Sequence, residues 1–331
     1  MRVVISGGAG FIGSHLTDLL LSQGHEVVGV DNFVTGRAEN VAHLKGNPSY
    51  TLIEHDVTAR VAIEGAVERV YHLASPASPR AFATHRVDTM KVNSAGTWNM
   101  LELAVGKGAR FLVTSTSEIY GDPNEPEQRE DYWGYVNPIG LRSMYEEGKR
   151  FAEACTMAYA RERGADTRIV RIFSTYGPRM NLDDGRVVTN FVLQALRGEP
   201  LTVYGDGTQR RSLCYVSDTA RGLAAAMEGD FHEPINIGNP EDVSMVELAR
   251  DVLALVPGMG SKIEFRPSLD YDPRVRRPDI SRARQILGWC PKVPRAEGLG
   301  KVVEYCREAI AGRSPKSETR NPNQARMTKS E

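Results

Sequence analysis

The sequence has no excess of charge, few cysteines and no long apolar run, and each absence removes a class of function. Its 331 residues carry 41 Lys and Arg against 42 Asp and Glu. Bulk electrostatics therefore give it no hold on nucleic acid or on an anionic membrane surface. The four cysteines, Cys155, Cys214, Cys290 and Cys306, are too few and too far apart for a zinc ligand set or a disulfide framework. No metal site is expected, and the thiols read as free in a reducing cytosol. The N-terminal MRVVISGGAGFIGSH is apolar only briefly before glycines interrupt it, which fits neither a signal peptide nor a membrane span. No internal repeat is present. These exclusions leave a cytoplasmic protein without nucleic-acid or membrane partners, long enough for one large α/β domain or for a domain and a smaller lobe.

Short β-branched runs alternate with helical patterns along the first half. RVVIS (2–6), EVVGVD (26–31), RVYHLA (69–74) and RFLVTS (110–115) read as strands, and 11–22 and 88–106 as helices. The alternation predicts βαβ units and an α/β fold of Rossmann type, a doubly wound parallel sheet covered on both faces. RIVRIFS (168–174) is a further strand. Past residue 178 the texture changes, with a loop-like GPRMNLDDGR, a helical VVTNFVLQALRG, and short strands around a Gly-rich turn in LTVYGDGTQRRSLCYVSD. The expected division is a sheet domain over 1–178, joined by a later strand from the C-terminal half, a smaller interleaved lobe over 179–311 that binds substrate, and a disordered tail over 312–331. That tail lacks the apolar periodicity needed to order itself.

RVVIS runs directly into GGAGFIG and then a helix, with Gly7, Gly10 and Gly13 at three-residue intervals. Glycines here let the turn close, bring backbone N–H groups to a pyrophosphate and let helix pack on strand, while the helix N-terminus favours the anion. Asp31 ends the next strand, where a carboxylate would hold an adenosine ribose hydroxyl and repel a 2′-phosphate. The expected cofactor is NAD. Downstream, SMYEEGKR places Tyr145 and Lys149 four residues apart, on one face of a helix. Spacing alone also fits a half-buried tyrosine beside a solvated lysine; the dinucleotide site upstream favours a proton-handling pair. Tyrosine ionises near pH 10, so a neighbouring Lys⁺ and the positive nicotinamide ring would have to favour the phenolate by about two or three units, at roughly 1.4 kcal/mol each.

Taken together, GGAGFIGSH, DNFVTGR (31–37), HDV (55–57), YHLAS (71–75), NSAGTWNML (93–101), TSTSEIYGD (114–122), NPIG (137–140), YEEGK (145–149) and GPRM (177–180) resemble the extended short-chain dehydrogenases/reductases, the NAD-dependent nucleotide-sugar epimerases, dehydratases and decarboxylases, over residues 1–310. The resemblance implies that Thr116 completes a triad with Tyr145 and Lys149. For the cofactor it implies Phe11, Ile12, Asn32, Phe33, Thr35 and Gly36 beside the glycines and Asp31. Further along it adds Asp56, Val57, Leu73, Ala74, Ser75, Asn93, Thr114 and Arg179.

Ser117 and Glu118 follow the triad threonine where similar 4,6-dehydratases carry Asp and Glu, and where similar 4-epimerases usually lack the acid. The Thr-Ser-Glu combination is similar to UDP-glucuronate decarboxylases, also called UDP-xylose synthases. So are EDYWGYVNPIG (130–140), RIFSTYGPRM (171–180), ALRGEPLTVYGDG (195–207) and RRPDI (276–280). That resemblance implies UDP-glucuronate as substrate, with oxidation at C4 making a β-keto acid that loses CO2. Arg276 would steer the carboxylate or relay a proton, and Glu118 would act through a water. Arg211 would grip the diphosphate, with Arg186, Asn190 and Tyr204 in the same nucleotide pocket and Pro76 near the sugar. Phe82 and Thr84 stand where decarboxylases typically show tyrosines, and Ser174 where they show asparagine, so the departures fall on sugar recognition. The implied product is UDP-xylose, or UDP-4-keto-pentose with NADH retained as product. A 4,6-dehydratase or C4-epimerase is the alternative among enzymes; a catalytically silent NAD-sensing protein is the alternative outside them, and retention of Tyr145 and Lys149 speaks against it. Helices 88–106 and 145–162 place Met90, Ala95, Trp98, Leu101, Phe151, Ala154 and Met157 at helical spacing, either as core or, as the resemblance implies, in the four-helix interface of a homodimer.

Overall fold

A computed structural model describes residues 1–268 and 275–312. Seven strands form one parallel sheet: β1 (Arg2–Ser6), β2 (Glu26–Asp31), β3 (Tyr50–Glu54), β4 (Arg69–His72), β5 (Arg110–Thr116), β6 (Thr167–Ile172) and β7 (Pro234–Ile237). Their order is β7-β6-β5-β4-β1-β2-β3. Because β1 lies between β4 and β2, the chain reverses direction across the sheet at that point, and a crevice opens at the C-terminal strand ends.

Both faces of the sheet are covered, which is why its strands read as continuous apolar runs. Val3, Ile5, Val27, Leu112, Val170 and Ile235 point to one buried face, and Val4, Val28, Val70, Phe111, Val113 and Ile169 to the other. The first is packed by the helices Phe11–Ser22 and Val216–Glu228. The second is packed by Thr97–Lys107 and Ser143–Arg163. Each fully buried Val or Leu contributes about 1.5–3 kcal/mol, so these two layers hold the crevice's strand ends in place.

A separate apolar cluster unites the helices Val187–Leu196, Met245–Leu255 and Arg295–Gly312 with the strand Leu201–Tyr204. Short strands brace this region. Arg210–Ser212 pairs antiparallel with Asp242–Ser244 and parallel with Val275–Arg276, setting Arg276 opposite Arg211.

Three features differ from the sequence reading. The stretch read as one helix over 88–106 is Arg86–Lys91, a π-helical turn Val92–Gly96, and Thr97–Lys107. Such turns are inserted where a helix must be re-aimed, and this one carries Asn93. Strand β3 was not expected; it is an edge strand, largely exposed, without an apolar run. The last helix continues to Gly312, the first residue of the expected tail; the rest of that tail lies outside the described residues.

Candidate active site

β1 ends at Ser6 and the chain turns at Gly7, whose φ of +73° suits glycine. The Gly7 N–H donates to the Val30 carbonyl (2.8 Å), and a Cβ on Gly7 would come within 2.9 Å of the Ala74 nitrogen. A Cβ on Gly13 would run into the Gly7 carbonyl. Gly10 caps the following helix without a side-chain hydrogen bond, and no acidic residue occupies the first turn. The first-turn N–H groups thus have no side-chain cap, and the helix dipole adds to their pull on an anion. This cradle fits a dinucleotide pyrophosphate. Gly13→Ala is expected to raise the Kd for NAD at least about tenfold, because the new methyl forces helix and turn apart; unchanged binding in a calorimetric titration would refute this.

Asp31 ends β2 on the wall of the same cavity. Its Oδ2 accepts the Ala9 N–H (3.0 Å) and its Oδ1 the Phe33 N–H (2.9 Å). Burial raises its pKa, and those backbone N–H groups pull it back. The carboxylate therefore also fastens the glycine turn to the loop behind β2, and Gly36 has no room there for a Cβ beside it. Asp56 takes N–H groups from Thr58 (2.9 Å) and Asn32 (3.2 Å). Burial would raise its pKa, but these bonds hold it below the ordinary carboxylate value.

One cavity of about 720 Å³ runs from this end across the sheet to the helix Val187–Leu196 and the strand Leu201–Tyr204. Its wall includes Gly7, Gly10, Phe11, Ile12, Gly13, Asn32, Thr35 and Gly36, then Asp56, Val57, Leu73, Ala74, Ser75, Thr114 and Arg179. At the other end it is lined by Pro76, Phe82, Ser174, Arg186, Asn190, Tyr204, Arg211 and Arg276. Two expected cofactor residues stand behind the wall. Phe33 packs on the small cluster of Ala9, Val41 and Leu44. Asn93 is buried and donates to Thr89 O (2.9 Å) and Ser75 Oγ (3.1 Å), so it steadies Ser75 from below.

Thr116 at the end of β5, Tyr145 and Lys149 all line this cavity, and the Tyr145 phenol is hydrogen-bonded with Thr116. The glycine between the tyrosine and the lysine has a steric reason: a Cβ on Gly148 would lie 3.1 Å from the Asn93 Cβ, so Gly148 lets the two helices approach. Lys149 Nζ donates to the Thr114 carbonyl (2.8 Å). Burial lowers its pKa to about 7, against the raising influence of Glu153. Burial raises the Tyr145 phenol above its ordinary 10.0; its hydrogen bond with Thr116 pulls it back, Glu118 adds to the rise, and Arg186 and Arg142 oppose it. The sequence reading expected Lys149 and the nicotinamide ring together to favour the phenolate; in the structure the Lys149 amine is tied to the Thr114 carbonyl and burial lowers its own pKa.

Ser117 and Glu118 open the turn Ser117–Tyr120, and Thr116 Oγ1 accepts the Glu118 N–H (3.2 Å). The Glu118 carboxylate is clamped by two guanidinium groups. Arg276 reaches it with both terminal nitrogens, Nη2 to Oε2 at 3.1 Å, and Arg142 donates to the same Oε2. Burial would raise the Glu118 pKa, yet Arg276 and Arg142 hold it below the ordinary 4.5. Phe82 stacks on Tyr145 (centroids 5.3 Å, planes 13° apart), and the Arg142 guanidinium lies 5.4 Å above Phe82. Arg186 Nη2 donates to Ala77 O (3.1 Å), joining the start of the helix Val187–Leu196 to the segment before Phe82.

Sequence reasoning missed Arg142, although a basic residue one helical turn before the tyrosine, in LRSMY, was there to be noticed. It also missed Gln209, Asp88 and Lys91, which line the cavity without belonging to any recognisable spacing.

The sequence profile of the NAD-dependent epimerase/dehydratase family matches residues 3–238. The chain belongs to this family. Among curated relatives, UDP-glucuronic acid decarboxylase 3 of Arabidopsis thaliana is 57% identical over 308 residues, covering 93% of this chain and 89% of that protein. UDP-glucuronic acid decarboxylase 1 of Xenopus tropicalis is 50% identical over 328 residues, covering 99% of this chain and 77% of that protein. Among solved structures, the UDP-glucuronic acid 4-epimerase of Bacillus cereus, in complex with UDP-glucuronic acid and NAD, superposes with a TM-score of 0.81 at 28% identity, covering 93% of this chain and all of that one. Family membership makes NAD the cofactor of this epimerase/dehydratase relative, in keeping with the glycine cradle and Asp31.

Proposed function

We propose that this enzyme decarboxylates UDP-glucuronate through a 4-keto intermediate, giving UDP-xylose or UDP-4-keto-pentose and CO2. The observation that carries the reading is the guanidinium pair, Arg276 and Arg142, closed on Glu118 two residues beyond the triad threonine. Dehydration needs a protonated acid for the departing hydroxyl, and a carboxylate held below its usual range by two arginines does not supply one. Decarboxylation needs none, because CO2 leaves without a proton. The curated decarboxylases at 50–57% identity support the same choice over the dehydratase and epimerase alternatives.

Gly7, Gly10, Gly13 and Asp31 would hold NAD, and bound NAD⁺ supplies a hydride acceptor beside the sugar. Thr116 orients the C4 hydroxyl and Tyr145 takes its proton. Once C4 is a ketone, the electrons of the C5–carboxyl bond flow onto the C4 oxygen as CO2 departs. The Tyr145 O–H and Thr116 stabilise that developing oxyanion by donated hydrogen bonds in a site screened from bulk water. A water held at Glu118 and Arg276 would supply the proton to C5; return of the hydride to C4, with the Tyr145 proton going back to the C4 oxygen, would give UDP-xylose, and without that return the product is UDP-4-keto-pentose. Lys149, fixed on Thr114, would hold the nicotinamide ribose of bound NAD.

We further propose a homodimer. Val87, Met90, Trp98, Val105 and Phe151 lie exposed on the Arg86–Lys107 and Ser143–Arg163 segments, whereas Leu101 is inside. Large exposed apolar faces of this kind mark association sites, and Trp98→Glu is expected to convert a dimer to monomer in sedimentation equilibrium; a monomeric parent would dismiss the idea. Among the described residues no helix is long and apolar enough to cross a membrane. A cytoplasmic location is proposed on the free thiols of Cys155, Cys214, Cys290 and Cys306.

A further inference from the structure

Arg142 occupies the N-cap of the Ser143–Arg163 helix, three residues before Tyr145, and is held from three sides. It donates to Glu118, its Nε lies 3.6 Å from Glu146 Oε1, and its guanidinium covers the face of Phe82. Phe82 in turn covers Tyr145, so these contacts fix Arg142 on the same wall as the reacting phenol.

The two arginines on Glu118 are not equivalent. Arg276 commits both terminal nitrogens to the carboxylate, and its side chain is 10% exposed. Arg142 commits one and has 28% of its side chain exposed where it lines the cavity. A guanidinium has five N–H donors, so most of those on Arg142 remain to be used. Two arginines against one clamped glutamate also leave one positive charge in excess. Glu146 offsets it only in part, since burial and the nearby Glu118 carboxylate push its pKa up to about 7. A half-buried cationic group with unfilled donors beside the redox centre is suited to an anion carried next to the oxidised carbon.

We propose that Arg142 is the specificity-determining residue that selects a sugar bearing a carboxylate at C5, taking that carboxylate on its free N–H groups while Arg276 stays on Glu118. The proposal rests on UDP-glucuronate being the substrate. Sharing its charge with Glu118 and Glu146 suits Arg142 to this task. A full, unshared ion pair would stabilise the carboxylate that the reaction must lose, holding the ground state more tightly than the transition state.

The test is a calorimetric titration in the presence of NAD⁺, in a Tyr145→Phe background so that no turnover occurs. UDP-glucuronate, UDP-xylose and UDP are each titrated into that protein and into the Tyr145→Phe/Arg142→Gln double variant. The double variant is expected to bind UDP-glucuronate about 30-fold more weakly, and UDP-xylose and UDP within about threefold of the parent. Arg142→Lys in the same background is expected to recover part of the loss, and it serves in place of the glutamine variant if that one fails to bind UDP. Equal weakening for UDP-glucuronate and UDP-xylose, or none for either, would overturn the role of Arg142 alone. A parent that binds UDP-glucuronate no more tightly than UDP-xylose would overturn the substrate reading and the proposal with it.

Discussion

Replacing Tyr145 by phenylalanine is expected to lower kcat for UDP-glucuronate about a thousandfold while moving KM less than about threefold. The ring stacked on Phe82 stays, so the sugar wall keeps its shape and only the oxygen is lost. That oxygen serves twice: it removes the C4 proton for oxidation, and as a phenol it steadies the oxyanion formed when CO2 leaves. An interaction made chiefly in the transition state falls on kcat rather than on binding. Because burial holds the phenol above its ordinary 10.0, the remaining acidification must come with the bound cofactor. Steady-state kinetics by CO2 release checks this; a variant within about tenfold of the parent would remove Tyr145 from the chemistry.

Glu118→Gln is expected to cost about 2–4 kcal/mol of stability as well as activity, because it leaves Arg276 and Arg142 facing each other across a neutral amide. The side chains of Arg276 and Arg142 are 10% and 28% exposed, so solvent screens only part of that repulsion. The pH dependence follows from the direction of the shift. The native carboxyl ionises below the 4.5 of the unfolded chain, so its contribution is complete above 4.5 and is lost as pH falls through the native value. The gap between parent and variant in urea denaturation is thus expected to close on the acid side, as pH falls below the 4.5 of the unfolded carboxyl. A gap that widens on acidification, or an equally stable variant, would contradict the clamp.

The Rossmann sheet was legible because its strands are buried on both faces and its glycine turn is dictated by backbone geometry. Gly7, Gly10, Gly13 and Asp31 follow from sterics and from what a pyrophosphate requires. β3 was not legible, since an edge strand needs no apolar run and YTLIEH carries none. The π-helical turn at Asn93 was hidden inside an unbroken helical pattern, because its setting is tertiary: the Asn93 bond to Ser75 and the approach of Gly148. Tyr145 and Lys149 could be found by spacing, but their ionisation could not, because it depends on burial that no spacing records. Arg142 escaped for a related reason: its partners Glu118 and Phe82 lie 24 and 60 positions away along the chain and meet it only in the fold.

The measurement that tests the central claim most directly is incubation of the protein with NAD⁺ and UDP-glucuronate labelled with carbon-13 in the carboxyl group, followed by mass spectrometry of nucleotide sugar and gas. The account predicts labelled CO2 and an unlabelled UDP-pentose. Recovery of a UDP-hexuronate that keeps its label, whether unchanged or inverted at C4, would contradict it.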